Sequence, residues 1–332
     1  MLNQAPTIAG ELPSNKSNSP SFEQLGPTTT SILDQLKRLL ATGPVVIGCD
    51  PTLEGVLAAV GLSYLAHAKT DFLRLAPKKS LQPQLNEGCL VLSTDDEMIG
   101  LARRVWKGFK NRFEDNKSFA YRILLACSSD DPLMPETVFC YMHLGFSVGK
   151  DLETMMSDPS VSRLNDMARF VSNECEHTRQ FVRFSHMSDG SWWASFCPKA
   201  DTLPLVCSHF AARMGNERFC LLDPIHLRAV LFDKKRSTKC SLIRLDSDMA
   251  DQMLKHDDVS DEELQIRAMW RKFYQSMELE DRGIAGRGYD LRAHWMPKRF
   301  WANLTELNDQ SGQIRDEKRF NAKRKPRQDG VS

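Results

Sequence analysis

Hydrophobic positions recur at helical spacing through most of the first half of the chain. Leu53, Val56, Leu57, Val60 and Tyr64 mark one helical face, and Val161, Leu164, Ala168, Val171 and Cys175 mark another. Short apolar runs stand between the helical stretches: Pro44 to Ile47, "DFLRLA" and "GCLVLST" read as strands. The segment "GCDPTLEGVLAAVGLSYL" therefore predicts strand, tight turn and helix. Asp50 is the expected N-cap and Pro51 the first helical residue. "TSILDQLKRLLA" predicts a short amphipathic helix ahead of that strand. "DDEMIGLARRVWKGFKNRF", residues 118–128 and residues 133–156 predict more helices.

The period changes at residue 181. "FVRFSHM" and "SWWASFCP" predict two strands joined by the "SDG" turn. "LPLVCSHFAARM" predicts a helix with Pro204 in its first turn. "RFCLLD", "RAVLFDKK" and "CSLIRL" predict three more strands, and residues 260–278 return to helix. The fold class expected is α+β. An N-terminal α/β and helical part is followed by an antiparallel ββαβββ sheet unit with a helix on one face, then C-terminal helices. Residues 1–28, rich in Pro, Ser, Asn and Gly, predict a disordered leader. Residues 29–307 form the expected domain, in halves 29–180 and 181–307. Residues 308–332 predict a basic disordered tail, with seven basic and two acidic residues between Arg315 and Arg327.

Composition narrows the function classes. Hydrophobic residues are 41% and charged residues 26% of 332, the balance of a globular protein. The formal net charge is +1, so any nucleic-acid contact must come from local patches. None of the nine cysteines stands at CxxC spacing, which argues against a zinc or iron–sulfur site, and no metal or cofactor is expected. The cysteines sit among apolar neighbours and read as thiols of a reducing cytoplasm. No signal-peptide pattern and no apolar run near the ~20 residues of a membrane span is present, so a cytoplasmic protein with no membrane contact is expected.

Several short stretches carry candidate chemistry. In "DPTLEG", Asp50 either only caps a helix or edges a cleft with Glu54 at a strand end. Gly55 stacks with Ala59 and predicts close helix packing. In "ECEHTRQFVRF", Glu174 and His177 share a helical face, and Arg183 in an apolar strand calls for a carboxylate, Glu174 or Asp223. In "HFAAR", His209 and Arg213 stand at i, i+4 and project from one face, while Val206 and Phe210 point elsewhere. Two such donors suit a phosphate or carboxylate, and the arginine disfavours protonation of His209. In "HWMPKRFW", His294, Trp295, Lys298, Arg299 and Trp301 interleave cations with aromatics, as phosphate contact and base stacking require; an aromatic plug is the plain alternative. No Ser–His–Asp, HExxH or diagnostic paired-carboxylate pattern is present, so whether the chain is an enzyme stays open.

These pieces, in order, resemble a bacterial DNA metabolism and DNA repair family of unknown mechanism. The resemblance rests on "CDPTLEGVLAAV", "FVRF", "LPLVCSHFAARM", "LLDPIHLRAVLF", "MWRKFYQSMELEDR" and "MPKRFWANLTEL", and spans about residues 45–307. It implies a radical-SAM partner protein, which would hold the iron–sulfur cluster. In some members the domain is fused to a uracil-DNA-glycosylase-like domain. By position it singles out Asp50, Gly55, Glu174, Arg183, His209, Phe210, Arg213, Asp223, Arg282, Pro297, Lys298 and Trp301, without catalytic roles. The chain departs from the family pattern at Cys49, at Met214 and over residues 283–290.

The expected function is thus a nucleic-acid-binding accessory of DNA metabolism or repair. It would bind DNA through Arg183, His209, Arg213, Lys298, Arg299 and Trp301 and act with the radical-SAM partner. The alternatives are a nucleic-acid-processing enzyme, glycosylase-like or hydrolytic, with Asp50, Glu174, His209 or Asp223 as acid/base candidates, and a protein-interaction adaptor.

Overall fold

Strand β1 (Val45–Cys49) is buried at every residue, because it lies at the centre of a three-stranded parallel sheet, in the order β2–β1–β3. β2 (Leu73–Pro77) and β3 (Gly88–Val91) flank it, with Val45 opposite Leu73 and Gly88. A central parallel strand reads as a continuous apolar run, which is what "VVIGC" is. This computed structural model describes residues 26–255, 258–276 and 296–305. The described residues form two units: 26–174 with 199–201, and 175–198 with the described residues from 202 onward.

The first unit begins with α1 (Pro27–Leu40), whose first turn is tied down where Glu97 accepts from the backbone N–H and the hydroxyl of Thr29 at 2.9 Å. Helix α2 (Leu53–Leu65) connects β1 to β2 and is buried from Gly55 to Ser63. It packs along α3 (Asp96–Arg112), and Gly61 makes the approach possible: a Cβ there would lie 2.5 Å from Leu101. α4 (Ser118–Ala126), α5 (Met134–Val148) and the start of α6 (Pro159–Phe181) complete a core around Phe109, Phe119, Phe139 and Tyr141.

The turn after β1 differs from the expectation. Thr52, not Asp50, caps α2: its Oγ1 accepts from the Gly55 N–H at 3.2 Å. The carboxylate of Asp50 instead accepts from Thr94 Oγ1 at 2.8 Å, beyond the end of β3. The need for glycine at position 55 comes from the turn, not from a neighbouring helix. A Cβ there would lie 2.3 Å from the Asp50 carbonyl oxygen, so the missing side chain lets the turn close onto the helix.

The second unit holds β4 (Ser185–His186), β5 (Trp192–Ser195), α7 (Leu203–Met214), β6 (Phe219–Asp223), β7 (Arg228–Phe232) and β8 (Ser241–Arg244). The five strands form one sheet in chain order. The pairings β4–β5, β6–β7 and β7–β8 are antiparallel, but β5–β6 is parallel. The sheet is therefore mixed, not wholly antiparallel. The cause is α7: a helical crossover carries the chain back to the starting end of the sheet, which a hairpin cannot do. The strand read over "FVRFSHM" is also shorter than expected. α6 continues through Phe181, and only Ser185–His186 forms a strand, with Met187 in an isolated antiparallel bridge to Val259.

Alternation along β6 sorts the two faces of the sheet. Phe219 meets Phe232 and Phe184, and Phe184 in turn meets Phe210 of α7. Cys220 and Leu222 point the other way, into a cluster with Ala229, Leu245 and Ala250. Ala250 belongs to α8 (Ser247–Leu254), a helix absent from the reading of the sequence although Asp246 caps it at Met249 N. Helix α9 (Asp261–Ser276) exposes Leu264, Ile266, Met269, Trp270 and Phe273. Among the described residues no helix is long and apolar enough to cross a membrane.

Candidate functional site

Helix α7 is built as a two-faced element. Val206 and Phe210 are buried against the sheet, as their spacing predicts. His209, Ala212 and Arg213 lie on the exposed face. The start of the helix is joined to α6 by a buried contact of 3.3 Å between the hydroxyls of Thr202 and Thr178.

The last turns of α6 bring further charges to this face. Arg179 Nη1 lies 2.5 Å from Glu176 Oε1, with the arginine partly buried and the glutamate exposed. Partial burial, then the charges of Arg179 and Arg213, hold His209 below the ordinary imidazole range, opposed by Glu176. His209 is therefore neutral at pH 7 and offers one donor and one acceptor. The positive charge at this surface belongs to Arg179 and Arg213, and Glu176 offsets part of it.

Arg183 is exposed rather than set in an apolar strand. It follows the end of α6, and its Nη1 donates to the carbonyls of Gln180 at 2.8 Å and Val182 at 3.2 Å. The strand reading failed because the helix runs further than "FVRF" suggests. The side chain expected to need a carboxylate satisfies helix-end carbonyls instead, a common use of a basic residue there.

The carboxylate candidates have separate settings. Asp50 bonds Thr94, as above. Glu174, buried in the first unit, accepts from the Lys199 N–H at 2.9 Å. Asp223 is fully buried in the second unit at the end of β6. Its Oδ1 accepts from the N–H groups of Ile225 at 3.0 Å and His226 at 3.1 Å, and its Oδ2 lies 2.6 Å from His226 Nδ1. Burial pushes the Asp223 carboxyl up, against the imidazole and the two N–H groups, which favour the ionised form. The pair organises the β6–β7 turn, where Leu227 takes φ 53°.

The cationic–aromatic stretch is partly described. Lys298 opens the 3-10 turn Lys298–Asn303. Phe300 is buried, its ring centroid 5.5 Å from Phe181 and 6.3 Å from His177, so this aromatic is a plug. The Arg299 guanidinium stacks 4.7 Å from the Phe300 ring centre, and the Trp301 indole donates to the Met296 carbonyl at 3.1 Å. Arg282, His294, Trp295, residues 283–290, the leader up to residue 25 and the basic tail lie outside the described residues.

Sequence reasoning missed Arg179 and His226. Each had a local signal: Arg179 stands three residues after Glu176, and "DPIH" puts His226 three residues after Asp223. Neither spacing is distinctive without the partner that gives it meaning. Among the described residues, no group of three or more His, Cys, Asp or Glu side chains is placed to hold a metal ion.

Residues 132–306 match the model of a domain of unknown function, DUF4130. The match covers more than half of the chain, and the chain belongs to that family. "CDPTLEGVLAAV" at 49–60 stands outside the match, whereas the α7 and β6–β7 segments stand within it. No curated protein and no solved structure matches the chain.

Proposed function

We propose that this member of the DUF4130 family is a nucleic-acid-binding accessory protein of DNA metabolism or repair, cytoplasmic and acting with a radical-SAM partner. The observation that supports it best is the surface shared by α6 and α7. Arg213 is exposed beside His209, and Arg179 is close enough to oppose protonation of that imidazole. Guanidinium groups present forked N–H donors that match phosphate oxygens. A chain of net charge +1 attracts DNA through such a local patch rather than through an overall field. Arg183, exposed at the end of α6, adds a further cation, and Lys298, Arg299 and Trp301 are proposed as additional DNA contacts. The apolar residues exposed on α9 give a protein partner somewhere to dock.

Fluorescence anisotropy with a labelled DNA duplex, titrated between about 50 and 200 mM salt, tests the reading. Arg213→Ala and Arg179→Ala should each weaken binding about 3- to 10-fold at the lower salt and flatten the salt dependence by about one phosphate contact. Glu176→Gln should tighten binding by releasing Arg179. His209→Ala should change affinity less than either arginine variant, because the imidazole is neutral. No affinity at low salt, or affinity indifferent to both arginines, would refute the proposal.

A second reading is a nucleic-acid-processing activity centred on Asp223 and His226. A buried carboxylate that fixes the orientation of an imidazole is an arrangement general-base chemistry uses. Asp223→Asn should then abolish turnover of damaged DNA while leaving DNA affinity intact. Lack of turnover by the wild-type chain on damaged and undamaged DNA would remove this reading.

A further inference from the structure

Helices α2, α3 and α5 leave a cavity of about 600 Å³ in the first unit. A space of that size takes a small organic molecule. Leu65, Leu101, Val105 and Phe146 make most of its wall apolar. Tyr64 and Phe146 line it with aromatic rings set edge to face, their centroids 5.6 Å apart. Tyr64 is also stacked on His143, which braces this wall. Two glycines shape the space in different ways. Packing requires Gly61, since a Cβ there would lie 2.5 Å from Leu101. Packing does not require Gly108, where a Cβ would meet only Phe146, at an ordinary 3.9 Å. Gly108 lies inside α3, where glycine lowers helix stability relative to alanine or leucine. The helix forgoes that stability at a position that keeps the cavity open. The polar lining carries one sign. Arg104 is a permanent cation, Tyr64 and His67 each add a donor, and no Asp or Glu is among the lining residues. His67 follows α2 with φ 52° and is exposed, on the solvent side of the cavity.

We infer that this cavity binds an aromatic monoanion, a flat ring system carrying one carboxylate. The ring system packs on Tyr64 and Phe146, and the bare backbone at Gly108 lets a flat body approach closely. The carboxylate pairs with the Arg104 guanidinium, whose parallel N–H groups match two carboxylate oxygens. A neutral ring forgoes that pair, and a cation meets Arg104 with like charge. An aliphatic chain fills the space but lacks the ring contacts. The inference does not depend on DNA binding, because Arg179 and Arg213 belong to the other unit.

The test titrates the full, methyl-labelled chain with naphthoate and, separately, with the uncharged naphthylmethanol, followed by methyl NMR. The methyl signals of Leu65, Leu101 and Val105 should shift together and saturate, with half-saturation by naphthoate at or below about 1 mM. Naphthylmethanol should move the same signals but bind about fivefold or more weakly, since it cannot form the charged pair. Arg104→Met keeps the length of the side chain and removes its charge. It should weaken naphthoate about tenfold and change naphthylmethanol by less than about twofold. Gly108→Leu fills the cavity and should weaken both compounds about tenfold. Leucine is a better helix former than glycine, so this variant should melt no lower than the wild type, as circular dichroism would show. If Arg104→Met does not fold, the wild-type preference for naphthoate and the Gly108→Leu result still decide. Shifts confined to exposed apolar residues such as Leu264 and Ile266 of α9 would overturn the inference. So would equal affinity for the two compounds, or naphthoate binding undiminished in Gly108→Leu.

Discussion

Acid should weaken the first unit through a single imidazole. His143 on α5 lies between Tyr64, stacked at 4.4 Å and 9°, and Phe139 at 4.5 Å. Ser63 Oγ donates its one proton to the Val60 carbonyl at 2.7 Å, so at 2.8 Å it must accept from His143 Nε2. The neutral tautomer with its proton on Nε2 fits this box, and a second proton on Nδ1 would put a charge among aromatic rings. Burial accordingly lowers the His143 pKa from 6.5 to about 4. The unfolded chain takes up the proton first. The stabilisation is therefore complete above the unfolded value near 6.5 and is lost progressively as pH falls toward 4. At about 1.4 kcal/mol per pH unit, that interval is worth roughly 3 kcal/mol. The ring is partly exposed, and solvent screening leaves about 2 kcal/mol. Urea denaturation of the wild type and His143→Phe at pH 7.5 and 4.5 isolates this contribution from the carboxylates, which titrate in both proteins. The variant should gain about 2 kcal/mol relative to the wild type on going to the lower pH. The wild-type ring, followed by NMR, should titrate near 4. A ring that titrates near its ordinary value, or a stability difference that does not move with pH, would refute the reasoning.

Three further outcomes follow from packing. Gly55→Ala drives a Cβ to 2.3 Å from the Asp50 carbonyl oxygen and should cost more than about 2 kcal/mol in urea denaturation, since backbone must move. Phe210→Ala empties the contact between α7 and Phe184 and should cost about 3–5 kcal/mol by the same measurement. Asp223→Ala leaves the turn N–H groups of Ile225 and His226 without their acceptor and should cost about 2–3 kcal/mol, whereas exposed Arg183→Ala should cost less than about 1 kcal/mol. Equal losses from these last two, compared by thermal denaturation, would contradict the account of their surroundings.

The sequence by itself determined what depends on near neighbours along the chain. Hydrophobic period placed β1, α2, α3 and α7, and it sorted α7 into a face with Val206 and Phe210 and a face with His209 and Arg213. Those outcomes need only i, i+3 and i, i+4 geometry. The tertiary structure decided whatever needed a partner from elsewhere. Whether β5 and β6 run parallel depends on how α7 returns the chain, which no strand pattern records. "FVRF" has the composition of a strand, but three-dimensional packing extended α6 through Phe181 and left Arg183 on helix-end carbonyls. Asp50 was legible as a strand-end carboxylate, yet Thr94, 44 residues later, claimed it and left the cap to Thr52. Arg179 became part of the candidate site only because α6 and α7 lie together. Local pattern fixes which face a side chain occupies; the chemistry it can do depends on what the fold brings to that face.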